Sequence, residues 1–281
     1  MLKILKAGFY TSIQDTGRFG FREHGVPISG AMDSYSAKFA NSLLGNDANC
    51  AVMEITMIGP KLLFEEPTAI VLSGANMSPK INDIEVEMDS VLSVKTGDII
   101  TFGRLQLGLR TYLAIKNGFQ SEEILKSKSM YKGITRDSNL KDRETIKYMP
   151  FLHKDSAKHA SVKYDESILF NNVLEAFKGP EFDKLSQNLQ ESLLDSEFQV
   201  SIHDRMAYQL KSLGENNLDQ ILTSPVLPGT VQLTPSGTLL VLMRDCQTTG
   251  GYPRVLQLTE KAINILSQKN TGAQLRFRLK V

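Results

Sequence analysis

The sequence predicts a mainly β protein, with β-barrel architecture in two halves and a few peripheral helices. Three observations carry this reading. Short apolar runs bounded by turn residues recur along the whole chain of 281 residues, as in closed β architectures. Only three segments place apolar residues at helical spacing. A charged stretch poor in aliphatic residues, 141–166, interrupts the chain near its middle and includes His153, Lys154, His159 and Lys163. The halves are therefore expected at 1–145 and 165–281, with a linker or peripheral excursion at 146–164.

Taken in order, strands are expected at 69–72, 85–94, 99–102, 111–115, 168–175, 198–202, 231–234, 239–243 and 274–281. The last alternates Leu275, Phe277, Leu279 and Val281 with Arg276, Arg278 and Lys280, the period of a half-buried strand. Thr96-Gly97-Asp98, Asn117-Gly118 and Pro235-Ser236-Gly237 supply turns between them. A helix is expected at 34–44, with Asp33 as N-cap and Gly45 just past its end. A second is expected at 180–194, where Pro180 suits the first helical position and Phe182, Leu185, Leu189 and Leu193 recur at helical spacing. A third, at 260–267, turns Ala262, Ile263 and Leu266 inward.

Composition narrows the function classes. Lys+Arg is 32 and Asp+Glu is 31, a net charge of +1, so the balance carries no electrostatic footprint for nucleic acid or an anionic membrane. No apolar run approaches the ~20 residues of a membrane span, and the N-terminus has no apolar core of signal-peptide length. Two cysteines, Cys50 and Cys246, are too few for a disulfide framework and fit a reducing compartment. A cytoplasmic protein is expected. The four histidines lack metal-ligand spacing, so no metal site is expected.

Two glycine-punctuated segments carry the candidate chemistry. The run Asp245-Cys246-Gln247-Thr248-Thr249-Gly250-Gly251-Tyr252-Pro253 follows the apolar stretch 239–243. Thr248, Thr249, Gly250 and Gly251 offer hydroxyls and unshielded backbone N–H groups, suited to an oxyanion or phosphate, or else to a tight turn. Tyr252 is either a contact residue or packing. Near the N-terminus, 11–20 and 25–33 read as one long ordered loop, with four glycines and a proline. Arg18 could grip a carboxylate or phosphate bidentately, or pair with Asp15 or Asp33 to shape the loop. Asp15 and Asp33 are turn and cap residues or take part in the chemistry. Gln14 binds a substrate amide or loop carbonyls. Arg205 faces a cleft or pairs with Asp204. Cys246 lacks a nearby base to make it a nucleophile, and Cys50 reads as a small buried apolar residue. A Walker phosphate loop is absent.

Further pieces are Ala40-Asn41-Ser42-Leu43-Leu44-Gly45-Asn46, Glu54-Ile55-Thr56 with Gly59-Pro60, Gly179-Pro180, Asp204-Arg205-Met206 and Gly229-Thr230-Val231-Gln232. Together and in this order, over nearly the whole chain, these segments resemble the allophanate hydrolase subunit 2 family, also described as biotin-dependent carboxyltransferase or KipA type. Its members include the C-type subunit of bacterial 5-oxoprolinase, the KipA sporulation regulator and part of the carboxyltransferase domain of urea carboxylase. The resemblance implies a cyclophilin-like barrel in each half. It also implies a subunit of an ATP-dependent 5-oxoprolinase, which opens the lactam of 5-oxoproline to glutamate. The partners implied are a homologous KipI or B-type protein and a third subunit, with ATP used by the assembled complex. On this reading Arg18 or Arg205 clamps the substrate carboxylate, and Thr248 to Gly251 serve developing oxyanions.

Two alternatives accompany it. One is a carboxyltransferase or allophanate-hydrolase-type subunit of urea or amide metabolism, meeting biotin on a carrier, since this chain has no Ala-Met-Lys-Met motif. The other is a non-enzymatic KipA-like antagonist of a kinase inhibitor. One departure stands out. Where members carry Gly-Ser-x-Ser-Thr and then Gly-Gly-x-Gly-Arg, this chain reads Lys126-Ser127-Lys128-Ser129-Met130 and then Thr135-Arg136-Asp137-Ser138-Asn139, without the glycines.

Overall fold

The computed structural model describes residues 1–152, 162–216 and 218–280. The chain forms two compact units, Met1–Arg18 with Ser29–Leu169, and Phe19–Ile28 with Phe170–Val281. The division thus lies after Leu169, and the middle of the N-terminal loop groups with the second unit. Much of the charged middle stretch is anchored: Ile146 pairs with Leu2, and Tyr148 and Tyr164 are buried. His153, Lys154 and His159 lie outside the described residues.

In the first unit one sheet runs Thr145–Ile146, Leu2–Lys6, Lys61–Phe64, Ile99–Phe102, Pro79–Ile81, Ile84–Glu85. The other runs Tyr10–Gln14, Val52–Thr56, Leu107–Ile115, Thr68–Asn76, Leu92–Val94. Leu2, Ile4, Leu62, Phe64 and Ile100 of the first sheet and Ile13, Ile55, Leu72, Leu113 and Ile115 of the second form one core. The second sheet is covered on its other face as well. Val52, Val71, Tyr112 and Ala114 pack with Ala37 and Ala40 of helix Ser34–Leu43. Successive side chains point to opposite faces, so cover on both faces leaves residues 109–115 of the strand Leu107–Ile115 buried without a break, Arg110 and Thr111 included. Burying a Leu or Ile stabilises by about 1.5–3 kcal/mol. Leu113→Ala, at the centre of the core, should cost about 2–5 kcal/mol.

The second unit is a closed seven-stranded barrel. Its order is Val173–Lys178, Arg254–Leu258, Thr230–Leu233, Leu239–Leu242, Ala207–Leu210, Phe198–His203, Gln274–Leu279. Gln274–Leu279 closes onto Val173–Lys178 in parallel register, Leu174 opposite Phe277. Closure removes the open edges that strands otherwise expose. Leu275 and Phe277 are buried while Arg276 and Arg278 are exposed, as the alternation predicts.

The cap residues explain two helices. The Asp33 side chain accepts from Ser36 N at 3.0 Å, and Gly45 follows with φ +60°. Thr259 Oγ1 accepts from Ala262 N at 3.2 Å and starts helix Glu260–Ser267, burying Ala262, Ile263 and Leu266.

Elsewhere the expectations need correction. The helix expected at 180–194 is broken into a 3-10 turn Phe182–Lys184 and a helix Gln187–Asp195. Leu185 is extended, and Ser186 caps a fresh start by accepting from Leu189 N at 3.4 Å. The strand expected at 168–175 begins as helix Ser167–Phe170, with the strand at Val173–Lys178. Only Leu92–Val94 and the short Ile84–Glu85 remain of the strand expected at 85–94, where Asp89 takes φ +56°. Residues 11–14, expected as loop, belong to strand Tyr10–Gln14. Among the described residues no helix is long and apolar enough to cross a membrane, and no group of three or more His, Cys, Asp or Glu could hold a metal.

Candidate functional site

In the first unit the polar residues gather around Asp15, just past the end of strand Tyr10–Gln14. Its Oδ1 accepts from Gly17 N at 2.8 Å, Ser127 Oγ at 2.7 Å and Ser129 Oγ at 2.6 Å. Its Oδ2 accepts from Lys128 N at 2.6 Å. Asp15 N in turn donates to Ser129 Oγ at 3.1 Å. Hydrogen bonds to an ionised carboxylate are about twice as strong as neutral ones. One buried charge therefore ties the N-terminal loop to the segment 127–129.

Arg18 closes the same junction. It is fully buried, and its guanidinium donates from Nε to Ile124 O at 3.1 Å and from Nη2 to Ser129 O at 2.7 Å. Gln14, also fully buried, donates from Nε2 to Ser12 Oγ at 3.0 Å and to Met130 O at 3.2 Å. The loop's two arms meet at Gly30. With φ +86°, a Cβ there would lie 3.0 Å from Gly17 N and the Thr16 carbonyl, so only glycine fits.

Asp33 is fully buried at the start of its helix, and its N–H donates to Tyr112 Oη at 2.8 Å. Tyr112 Oη donates to Glu54 Oε2 at 2.9 Å, and Met32 N donates to the same oxygen at 2.7 Å. Glu54 and Arg110, both buried, lie 3.9 Å apart. Burial first, then the Glu54 and Asp33 charges, push the Tyr112 hydroxyl well above its ordinary value. It stays protonated and serves as a fixed donor. Glu54, Arg110, Tyr112, Ser127 and Ser129 were not singled out from the sequence as polar-site residues. Ser-x-Ser at 127–129 was a signal available there, since it survives the loss of the surrounding glycines.

In the second unit, Thr249–Gly250 is a short strand paired with Ser224–Pro225. Thr248 O accepts from Val226 N at 3.1 Å, and Gly251 O accepts from Ile221 N at 3.0 Å. The segment is therefore drawn out along a neighbour rather than curled into a turn of converging N–H groups. Thr249 is exposed, and Thr248, Gly250, Gly251 and Tyr252 are half-buried. A Cβ on Gly250 would lie 2.5 Å from Gln232 Nε2, which donates to Tyr252 O at 3.4 Å. A side chain at this position would displace the end of the Gln232 side chain rather than meet backbone.

Arg22 underpins the segment, its Nη2 donating to Val226 O and, at 3.2 Å, to Thr248 O. Arg205 pairs with Asp245, Nε to Oδ2 at 2.8 Å and Nη2 to Oδ1 at 3.2 Å. Asp204 is not its partner in that fork. The Asp204 carboxylate accepts from Met206 N at 2.7 Å and Ala207 N at 2.9 Å, shaping its own turn. Burial pushes the Cys246 thiol up to about 11, with Arg22 opposing. Cys246 is thus a neutral, buried thiol at physiological pH. Cys50 is half-buried rather than buried.

Residues 24–279 match the family model described as carboxyltransferase domain, subdomain A and B, and the chain belongs to that family. It is 35% identical over 284 residues to the 5-oxoprolinase C subunit of Escherichia coli (strain K12), across 99% of this chain and 90% of that protein. It is 28% identical to the 5-oxoprolinase C subunit of Haemophilus influenzae, with 99% and 90% covered. The structure of the K. lactis urea amidolyase superposes with a TM-score of 0.86 at 27% identity, covering 98% of this chain and 18% of that one. This chain therefore spans less than a fifth of the larger enzyme.

Proposed function

We propose that this chain is the C subunit of a 5-oxoprolinase and acts with partner subunits to open the lactam of 5-oxoproline to glutamate, with consumption of ATP. The observation that carries this reading is the 35% identity to the Escherichia coli protein over 99% of the chain. Lactam opening places negative charge on the carbonyl oxygen, and fixed donors aimed at that charge are the usual largest catalytic contribution. The exposed Thr249 hydroxyl, with Thr248, Gly250, Gly251 and Tyr252 beside it, is the substrate-facing strip on this reading. Arg205, locked to Asp245, and the buried Gln14, Asp15, Arg18 and Asp33 position the loops.

ATP contacts are assigned to the assembled complex. The sequence has no Walker loop, and the Thr249–Gly250 strand pair does not fit a phosphate cradle. The partners on this reading are a B-type protein homologous to KipI and a third subunit, all cytoplasmic.

The likeness to urea amidolyase favours one second reading, a carboxyl-transfer subunit served by carrier-bound biotin. A genetic test separates the two. This chain and its own partner subunits are expressed in an Escherichia coli strain lacking all 5-oxoprolinase subunits. Consumption of added 5-oxoproline that depends on this chain is the expected result. Unchanged 5-oxoproline, with all subunits present and associated, would reject the proposal.

A further inference from the structure

We propose that Arg22 and Gln247 form a subsite that takes the carboxylate and the adjacent lactam N–H of the substrate, an assignment that rests on the 5-oxoprolinase reading. Arg22 projects from the 3-10 turn Arg22–His24, which closes through Gly25 N donating to Arg22 O at 3.0 Å. Its Nη2 is committed to the Val226 and Thr248 carbonyls. Its Nη1 is buried and has no hydrogen-bond partner among the described residues. The same holds for Gln247 Oε1, one residue before the Thr248 carbonyl that Arg22 holds. The guanidinium also hydrogen-bonds the Cys246 thiol, which leaves one donor atom, Arg22 Nη1, and one acceptor atom, Gln247 Oε1, unsatisfied on side chains anchored at the same stretch of chain.

Buried polar groups are nearly always paired, and each exception calls for a cause. Leaving such a group unpaired is unfavourable, and more so for a charged one. A ligand that supplies both partners removes that cost. Arg22 has no acidic partner among the described residues, because the neighbouring Asp245 is held by Arg205. The Cys246 thiol beside the guanidinium is neutral and does not compete as an anion. The two unsatisfied atoms therefore call for a ligand with an anionic oxygen and an N–H donor. A lactam bearing a carboxylate on the carbon next to its nitrogen has both. Glu23, His24 and Gly25 of the turn, and Thr249 of the strip, are exposed, so the subsite lies near the surface of the second unit.

The test uses the assembled enzyme, with 5-oxoproline and its neutral carboxamide as probes. Arg22→Gln should raise KM for 5-oxoproline by about 10–100-fold, the value of a hydrogen bond to a charged group, with kcat little changed. Preference for 5-oxoproline over the carboxamide should disappear. Arg22→Lys should recover only part, since an ammonium cannot reproduce the guanidinium fork, and it serves as the variant if Arg22→Gln does not fold. Gln247→Leu should weaken both probes, which share the lactam N–H. An unchanged KM, or an equal loss on both probes in Arg22→Gln, would overturn the subsite. Thermal shift of the unmutated chain with each probe keeps the two proposals apart. Stabilisation by 5-oxoproline, absent with the carboxamide and lost in Arg22→Gln, supports the subsite even if no glutamate is released. Stabilisation by neither probe overturns it.

Discussion

Replacing Asp15 by Asn changes one oxygen into an amide nitrogen and removes one charge, leaving shape almost untouched. The remaining carbonyl oxygen can keep the three donors on Oδ1, from Gly17 N, Ser127 Oγ and Ser129 Oγ. The new Nδ2 then faces Lys128 N–H, which donates to Oδ2 at 2.6 Å in the native protein. Two donors confront each other. The lost charge-assisted bond is worth about 1.5–3 kcal/mol, and the stranded N–H adds to it, for a total of about 3 kcal/mol. At about 1.4 kcal/mol per tenfold, local opening of segment 127–129 should become more frequent on the order of 100-fold. Amide hydrogen exchange at Gly17, Lys128 and Ser129 reads this directly. Ser127→Ala, which removes one of three donors from Oδ1 and the acceptor of Ser129 N, should cost about 1.5–3 kcal/mol. In the double variant the two costs should not add, because both act on one carboxylate. Exchange within threefold of the native rate in Asp15→Asn would refute the view that this carboxylate holds the junction.

Three further outcomes are expected. An aromatic disulfide reagent at neutral pH should modify Cys50 in the native protein, and Cys246 only after unfolding, because burial lifts its thiol to about 11; two reactive native thiols would contradict this. Thr249→Val in the assembled enzyme should lower kcat by about 10²–10³ with the melting temperature unchanged, if Thr249 meets the developing oxyanion; activity near the native level would remove that role. Burial, partly opposed by Ser73 and reinforced by Glu166, raises the Asp89 carboxyl above its ordinary value. The folded state then binds the proton more tightly, so this contribution to stability is full below about pH 4 and is lost as pH rises through the raised value. Denaturation across pH should therefore show a shallower decline in Asp89→Asn, and parallel curves would contradict the assignment.

Where the sequence was informative, local physics decides the outcome. Helix Glu260–Ser267 has its cap, its inward residues and its end within one short stretch. The alternation in Gln274–Leu279 needs no distant partner to be read. The failures have long-range causes. Strand Tyr10–Gln14 abuts a glycine-rich loop, and its pairing with Val52–Thr56 outweighs that neighbourhood. The helix expected from Pro180 onward breaks at the extended Leu185, while Gly179 N and Glu181 N tie its start to the carbonyls of Val255 and Arg254 on the neighbouring strand. Site residues divide in the same way. Asp33 was legible as a cap from its position alone. Asp15 meets Ser127 and Ser129 across 112 and 114 residues, and Arg205 meets Asp245 across 40. Nothing local marks such pairs. Arg22 was missed because its significance lies in carbonyls more than 200 positions away.

On the proposed function this chain is a working part of a lactam-opening enzyme. The most direct test is glutamate release from 5-oxoproline by purified subunits, mixed with this chain present or omitted, and with or without ATP. Glutamate is expected only when this chain, its partners and ATP are all present. Equal release without this chain, or none from an assembled complex supplied with ATP, would contradict it.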